Sequence, residues 1–573
     1  MRRYDGCHAK IRLLLYGAFI MPKTSIISLS LIVILLFSSI ALASEAGGKT
    51  TAVATYECIG LYHQTDARGD CRVRYRKTGF EAWRRGMDLV FDARDGQYRG
   101  SLVGLTADTE YDIELSVGDD KTSIQARTRS NRFPIGHVTR LEAGIRREPL
   151  RIERSGTPEA YHLVTCDEHA TIDVMNTADQ NIRIDADYVI VRGLELKNAA
   201  RHGILIEDSR HDIVIEDCRI TYWGRGGGPR TYGNEGNMDS AISAQRGAGR
   251  LTIQRNLIEH PRGGSNDWDD GHPAGPQAVS LNNSTGGNVI RHNEIRSSED
   301  HGFNDAIGGS SNYSFAGSPN RDSDIYGNII SHVWDDAIES EGANMNVRIW
   351  GNYTHHTFQH VAVACTSKGP LYIFRNVFGL SRSTHKDPLG GSMIKVGQRD
   401  EFGGGRRYVF HNTALQPMGS FHVFSSHVNP NTVTRNNIFD CRGRLTSSRE
   451  AEPPSDFDYD LFNGMDRGLA RERHGVRGRP AFVSSTNLEF SPARTTTTIQ
   501  WGKVKIQQGE RTVTLTDPVV TVPNPVIDAG VVLPGFNDDF VGAAPDLGAF
   551  ERGGAPIQFG RQADPEFTLA PWE

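Results

Sequence analysis

LTIQRNLIE, Leu251 to Glu259, and NVIRHNEIR, Asn288 to Arg296, share one pattern: alternating apolar residues, then Asn, then an apolar residue again. Seven further segments repeat it: YVIVRGLEL, DIVIEDCRI, SDIYGNIIS, VRIWGNYTH, LYIFRNVFG, RYVFHNTAL and TVTRNNIFD. The recurring Gly, Asp or Asn is read at Gly193, Asp217, Asn256, Asn293, Asn328, Asn352, Asn376, Asn412 and Asn436, in steps of 24 or of 35 to 39 residues. A period near 24 that insertions lengthen in some turns marks a solenoid. Short β-branched strands with Gly/Asn turns, and no helical pattern between them, predict a parallel β-helix. Asn residues at one place per coil can stack as an amide ladder, a structural role.

The repeat region, about 160–445, resembles the right-handed parallel β-helix proteins of the pectate lyase-like superfamily. GAAPDLGAFE, Gly542 to Glu551, resembles a segment that often closes such secreted proteins. KVKIQQGERTVTL, Lys503 to Leu515, reads as a hairpin capping the open end. Ahead of the repeat, CRVRYRK, YRGSLVGL and YDIELSV alternate as short strands. The stretch LVGLTADTEYDIELSV resembles a fibronectin type III domain, in which Leu105, Thr109 and Tyr111 would close one corner of a sandwich. The expected fold is therefore all-β, a right-handed parallel β-helix preceded by a small β-sandwich. The expected divisions are an upstream extension plus signal peptide (1–43), the sandwich (50–130), the β-helix (140–450) and an irregular cap (451–573).

The chain has 573 residues and a formal net charge of −6, so no overall field argues for nucleic acid or an anionic membrane. MPKTSIISLSLIVILLFSSIALASEA, from Met21, has a Lys23 n-region, an apolar stretch Ile26 to Ile40 and a small-x-small site at Ala41-Leu42-Ala43. Cleavage near Ala43/Ser44 is expected, giving a secreted or periplasmic monomer without a membrane span. Residues 1–20 read as an extension upstream of the true start. Of the cysteines, Cys58 and Cys71 flank a hairpin and are the candidate disulfide pair. Cys166, Cys218, Cys365 and Cys441 fit no metal spacing and read as buried.

Each coil carries a second strand: GILIED (203–208), SAISAQ (240–245), QAVSLN (277–282), DAIGGS (305–310), DAIESE (336–341), VAVACT (361–366), SMIKVG (392–397) and FHVFSS (421–426). With the third residue facing the core, the fourth and sixth face outward. The outward column then runs Ser280/Asn282, Gly308/Ser310, Glu339/Glu341, Ala364/Thr366, Lys395/Gly397. Glu339 and Glu341 stand about 7 Å apart along their strand, and Lys395 two rungs away. Asp305, Asp335 and Asp336 enter the same face. Converging carboxylates on a rigid scaffold suit a hard cation such as Ca²⁺, which takes about 6–8 oxygen ligands. The alternative is a solvated acidic turn.

A Glu-x-Glu pair on an outward strand with Lys on the same face resembles the alginate lyase and chondroitinase B family. The resemblance implies two Glu and an Asn on Ca²⁺, with Lys and Arg as base and acid; Glu339 and Glu341 match the two Glu, Lys395 would be the base, and the reading of the face adds Asp336 and Asp305 as metal candidates. The family's Lys follows closely on the second Glu, where this chain reads GANMN. The likeliest ligand Asn, Asn282, is two coils away. His301, His356 and Arg382 are further catalytic candidates; Trp268, His360, Arg406 and Asn282 are candidates for substrate binding. The expected function is a polysaccharide lyase that cleaves an acidic, uronic acid-containing polymer by β-elimination. A glycoside hydrolase using paired carboxylates, or a non-catalytic glycan-binding protein, stays open on the same scaffold.

Overall fold

The computed structural model describes residues 50–225, 238–264, 275–381, 391–397, 401–416, 419–424, 431–441, 455–463, 472–484, 489–492, 496–499, 504–508, 511–515 and 520–573. The expected signal segment, Trp268 and Arg382 lie outside them. Among the described residues no helix is long and apolar enough to cross a membrane.

The chain is all-β. Among the described residues, twelve parallel strands, one per coil from Ile135–Leu141 to Asp456–Phe457, form one sheet of a solenoid, and a 21-stranded sheet wraps the rest of each coil. Inside lies a continuous aliphatic core, with Ile184, Ile215, Ile253, Ile290, Ile349 and Ile373 fully buried. Each such side chain removed from water contributes about 1.5–3 kcal/mol. No coil buries its apolar side alone, so stacking is what makes the repeat fold.

The amide ladder exists, with a register correction. Asn256, Asn293, Asn328, Asn352, Asn376 and Asn412 each accept the N–H of the equivalent residue one coil back, at 2.9–3.1 Å. The ladder begins at Cys218 and continues through Asn437 to Asp460. Gly193, Asp217 and Asn436 belong one place earlier. That place holds positive φ in nine successive coils: Gly193, Asp217, Arg255, His292, Gly327, Gly351, Arg375, His411 and Asn436. Consecutive Asn residues in RNNIF hid the distinction. The left-handed turn costs a non-Gly residue energy, and the buried Asn that follows stabilises it. Asn352 accepts from Asn328 Nδ2 and donates to Ile325 O, Trp350 O and Asn376 Oδ1. Asn352→Ala should therefore cost about 3 kcal/mol or more, read as a lower urea midpoint, because it orphans buried groups on both neighbouring coils.

Two four-stranded antiparallel sheets precede the solenoid. They share a core of Ile59, Leu61, Val73, Tyr75, Leu102, Ile113 and Leu115. The Tyr111 hydroxyl accepts the Thr106 N–H at 2.9 Å and so closes the corner that contains Leu105 and Thr109. Cys58 and Cys71 are both free and sit in different apolar clusters, so the expected pairing is corrected. The other described cysteines are also buried and free. Val504–Gln508 and Arg511–Leu515 pair antiparallel, the hairpin read from sequence. Backbone from the closing segment joins the solenoid where Gly548 N–H meets Asn436 O at 2.7 Å.

The sandwich is seated on the solenoid by polar contacts. Tyr62 donates to Asp322 at 2.8 Å, and Thr55 lies beside Asp324, which Arg348 also binds at 2.6 Å. Gly60 permits this approach, since a Cβ there would fall 2.2 Å from Asp322 Oδ1. Burial pushes Asp322 up to about 7, although Arg348 and the Tyr62 hydroxyl pull it back. A carboxyl that holds its proton more tightly folded than unfolded loses stability as pH rises from about 4 to about 7, by at most on the order of 4 kcal/mol. Asp322→Asn should flatten that part of the stability–pH curve and be at least as stable as wild type at pH 8, measured by urea unfolding.

Candidate active site

Five carboxylates and one ammonium share the outer face of the middle coils. The register places Ile307, Ile338, Val361 and Ile394 in one row, so Gly308, Glu339, Ala362 and Lys395 occupy the next. This corrects the expected column, since Ala362 and not Ala364 separates Glu339 from Lys395. The coil's repeat of Val at 361 and 363 allowed either register. GILIED and FHVFSS shift likewise: Ile204 takes the core row and Leu205 turns outward, and Phe421 pairs in register with Ile394.

Ala337 and Ile338 both enter the core, as do Ala306 and Ile307. The chain bends at each such pair, which brings the flanking Asp336 and Glu339 to the same outer side. Carboxylate oxygens of Asp305, Asp336 and Glu339 lie within 4.8 Å of one another. Asp336 directly bonds the Lys395 ammonium, and Glu341 approaches it at 3.6 Å. Lys395 reaches them because Ala362 leaves its rung open.

The carboxylates are not a solvated turn. Asp336 is 1% exposed, Glu341 3%, Asp305 6% and Glu339 7%. Each is held individually. Gln277 Nε2 and the Asp336 N–H bond Asp305 at 3.1 and 3.3 Å. Asn312 Nδ2 and the Gly309 N–H bond Glu339 at 2.7 and 3.3 Å. The Ala364 N–H bonds Glu341 at 3.1 Å. Burial, and then the Glu339 charge, push Asp305 up. Burial also raises Glu339, and raises Glu341 to about 8, while Lys395 pulls both back. Burial alone would lower the Lys395 pKa, but Asp336 and Glu341 outweigh it and hold the ammonium protonated. Among the described residues Lys395 is the cation that meets these buried carboxyls.

The trio can hold a metal ion. Its donors are all hard oxygens, and Asp336 Oδ1 is buried with no hydrogen-bond partner.

The other candidates disperse. His360 is fully buried, with the Thr354 and Thr357 hydroxyls at 2.6 and 3.2 Å, which removes it from a substrate surface. His356 is exposed, stacked on His332 at 5.4 Å and against His355, which burial and His356 push down to about 4. His301 meets the Gly263 carbonyl at 3.2 Å. Arg406 lies over Tyr408 in the seam with the sandwich, beside Asp92 and Arg94. Asn282 lines a groove of about 600 Å³ with Leu205, Ser243 and Ser310, along the same outer face. Asn312 was missed by sequence reasoning. It comes from a loop inserted after Ile307–Ser310, outside any repeat, and only its neighbourhood of Gly and Ser marked that loop.

No protein-family model and no curated protein matches the sequence. Among solved structures the chain is similar to a mannuronic acid-specific polysaccharide family 6 lyase enzyme from human gut microbiota. That match has 13% identity and a TM-score of 0.36, over 60% of this chain and 78% of that one. It is also similar to the catalytic unit of a thermostable GH87 α-1,3-glucanase from Streptomyces thermodiastaticus strain HF3-3. There the identity is 11% and the TM-score 0.32, over 74% of this chain and 84% of that one.

Proposed function

We propose that the chain hydrolyses a polysaccharide laid across this outer face, with carboxyl groups as acid and base. The observation that carries the reading is the trio of buried carboxylates from adjacent coils, beside a Lys395 ammonium committed to Asp336. Burial and then the Asp335 charge raise the Asp336 carboxyl, the bonded Lys395 ammonium pulls it back, and in its ionised form Asp336 can activate a water held beside Asp305. Carboxylate oxygens of the trio lie within 4.8 Å of one another, closer than the roughly 6.5–9.5 Å between the carboxyl groups of an inverting acid and base. For inversion the proton donor to the glycosidic oxygen would therefore come from outside the trio, from Asp335 beside it or from Glu341. Asn312 orients Glu339.

A second reading, β-elimination, is favoured by the oxygen-only donor set. Asp305, Asp336 and Glu339 would hold Ca²⁺, which when bound neutralises a uronate carboxylate and makes the neighbouring proton more acidic. Lys395 would then act as base only once freed from Asp336. One experiment separates the readings: a panel of neutral and acidic polysaccharides, assayed with and without chelator. Hydrolysis yields new reducing ends without the ultraviolet absorbance of an unsaturated uronate, and chelator does not stop it. A chelator-sensitive chromophore would overturn it in favour of elimination. Binding without any cleavage would favour a glycan-binding protein.

A further inference from the structure

The loop that delivers Asn312 is tied to the acidic centre at both legs. Asn312 bonds Glu339, and Ser318 pairs with Glu341 in a short antiparallel ladder. Its backbone is pinned to the next coil, with the Ser367 hydroxyl bonding Ser314 O and Cys365 Sγ at 3.3 Å from Asn312 O. At its apex Phe315, 45% exposed, packs on Phe402 at 5.0 Å and under the Lys368 ammonium at 4.9 Å. Lys368 in turn belongs to the sandwich as much as to the solenoid. Its ammonium binds Asp95 at 2.5 Å, and its carbonyl accepts Arg99 Nη2 at 3.3 Å. Arg99 is 1% exposed, with both Asp92 and Asp95 on its guanidinium, so the tip carrying Asp95 is fixed. Arg94 from the same tip bonds Gly403 O at 3.1 Å, next to Phe402. The tip therefore grips both sides of the aromatic pair.

We propose that the sandwich is a positioning element of the acidic centre: Asp95 and Lys368, through Phe315, hold the loop so that Asn312 stays on Glu339. A long Lys side chain on an open surface gains little from one ion pair and is free to wander. Here its carboxylate partner is immobilised by Arg99 and its other contact is a ring face, so its position is defined. The functional consequence rests on the reading given above; the mechanical link does not.

The test uses the full chain with Lys368→Met, which keeps length and loses charge, and Lys368→Arg, which keeps both the ion pair and the cation–ring contact. Hydrogen exchange at residues 312–318 should quicken about tenfold or more in the Met variant, with the ladder coils unchanged, and return to wild type with Arg. Turnover should fall about tenfold with KM changed by less than about threefold, and Arg should restore it. Asp95→Asn serves the same purpose should the Met variant fail to fold. Unchanged loop exchange in the Met or Asn variant overturns the link. Faster exchange with unaltered turnover in an active protein overturns the positioning role. If the wild type cleaves no polysaccharide, the preceding reading fails, and the exchange data alone uphold or overturn the link.

Discussion

Asp336→Asn and Asp305→Asn should each lower turnover by about a thousandfold or more while leaving the solenoid folded. Both substitutions keep the shape and remove a carboxyl that can exchange a proton with the attacking water, a loss of the size general acid–base catalysis supplies. In barrier terms a thousandfold is about 4 kcal/mol. KM should move little, since neither residue reaches beyond the reacting centre. Asp305→Asn keeps one acceptor where Asp305 uses two, for Gln277 Nε2 and for the Asp336 N–H, so its thermal midpoint should fall modestly while the solenoid stays folded. Asp335→Asn and Glu341→Gln then identify the proton donor. The donor's variant should fail on the polysaccharide yet cleave an aryl glycoside, whose leaving group needs no proton. Turnover within tenfold of wild type in both Asp305→Asn and Asp336→Asn would remove the trio from the chemistry.

The sequence made the solenoid legible because its signal is repetitive. Each coil must bury the same apolar pair and close the same turn, and that requirement recurs nine times. The errors lie where one coil offers two equivalent answers. Asn436 and Asn437 are adjacent, and the Asn that joins the ladder is the one after the left-handed turn. Val361 and Val363 both face the core, so alternation fixes the side of Ala362 and Ala364 but not which lies beside Glu339. The acidic rung was visible as composition. Its burial was not, because burial comes from the loop carrying Asn312 and Phe315, which obeys no repeat. His360 shows the converse failure. A His at a turn looks available, and only packing shows it enclosed by Thr354, Thr357 and Phe378.

Lys395 separates the two chemistries most sharply. Among the described residues its ammonium is the positive charge drawn among the five carboxylates, and Ala362 gives it the room to reach them. If its task is to keep Asp336 ionised, charge and reach matter and proton release does not. Lys395→Arg should then keep turnover within about tenfold of wild type, because a guanidinium can satisfy both Asp336 and Glu341. Lys395→Met should lose about a hundredfold or more, and also about 3–5 kcal/mol of stability, since breaking a buried pair leaves its partner charge uncompensated. The measurements are kcat for the two variants and their urea midpoints near neutral pH. If Lys395 is instead the base that removes a sugar proton, Arg must fail as badly as Met, because guanidinium does not give up its proton. An inactive, well-folded Lys395→Arg would thus favour elimination. Near-normal turnover in Lys395→Met would exclude Lys395 from either mechanism and leave it as counter-charge alone.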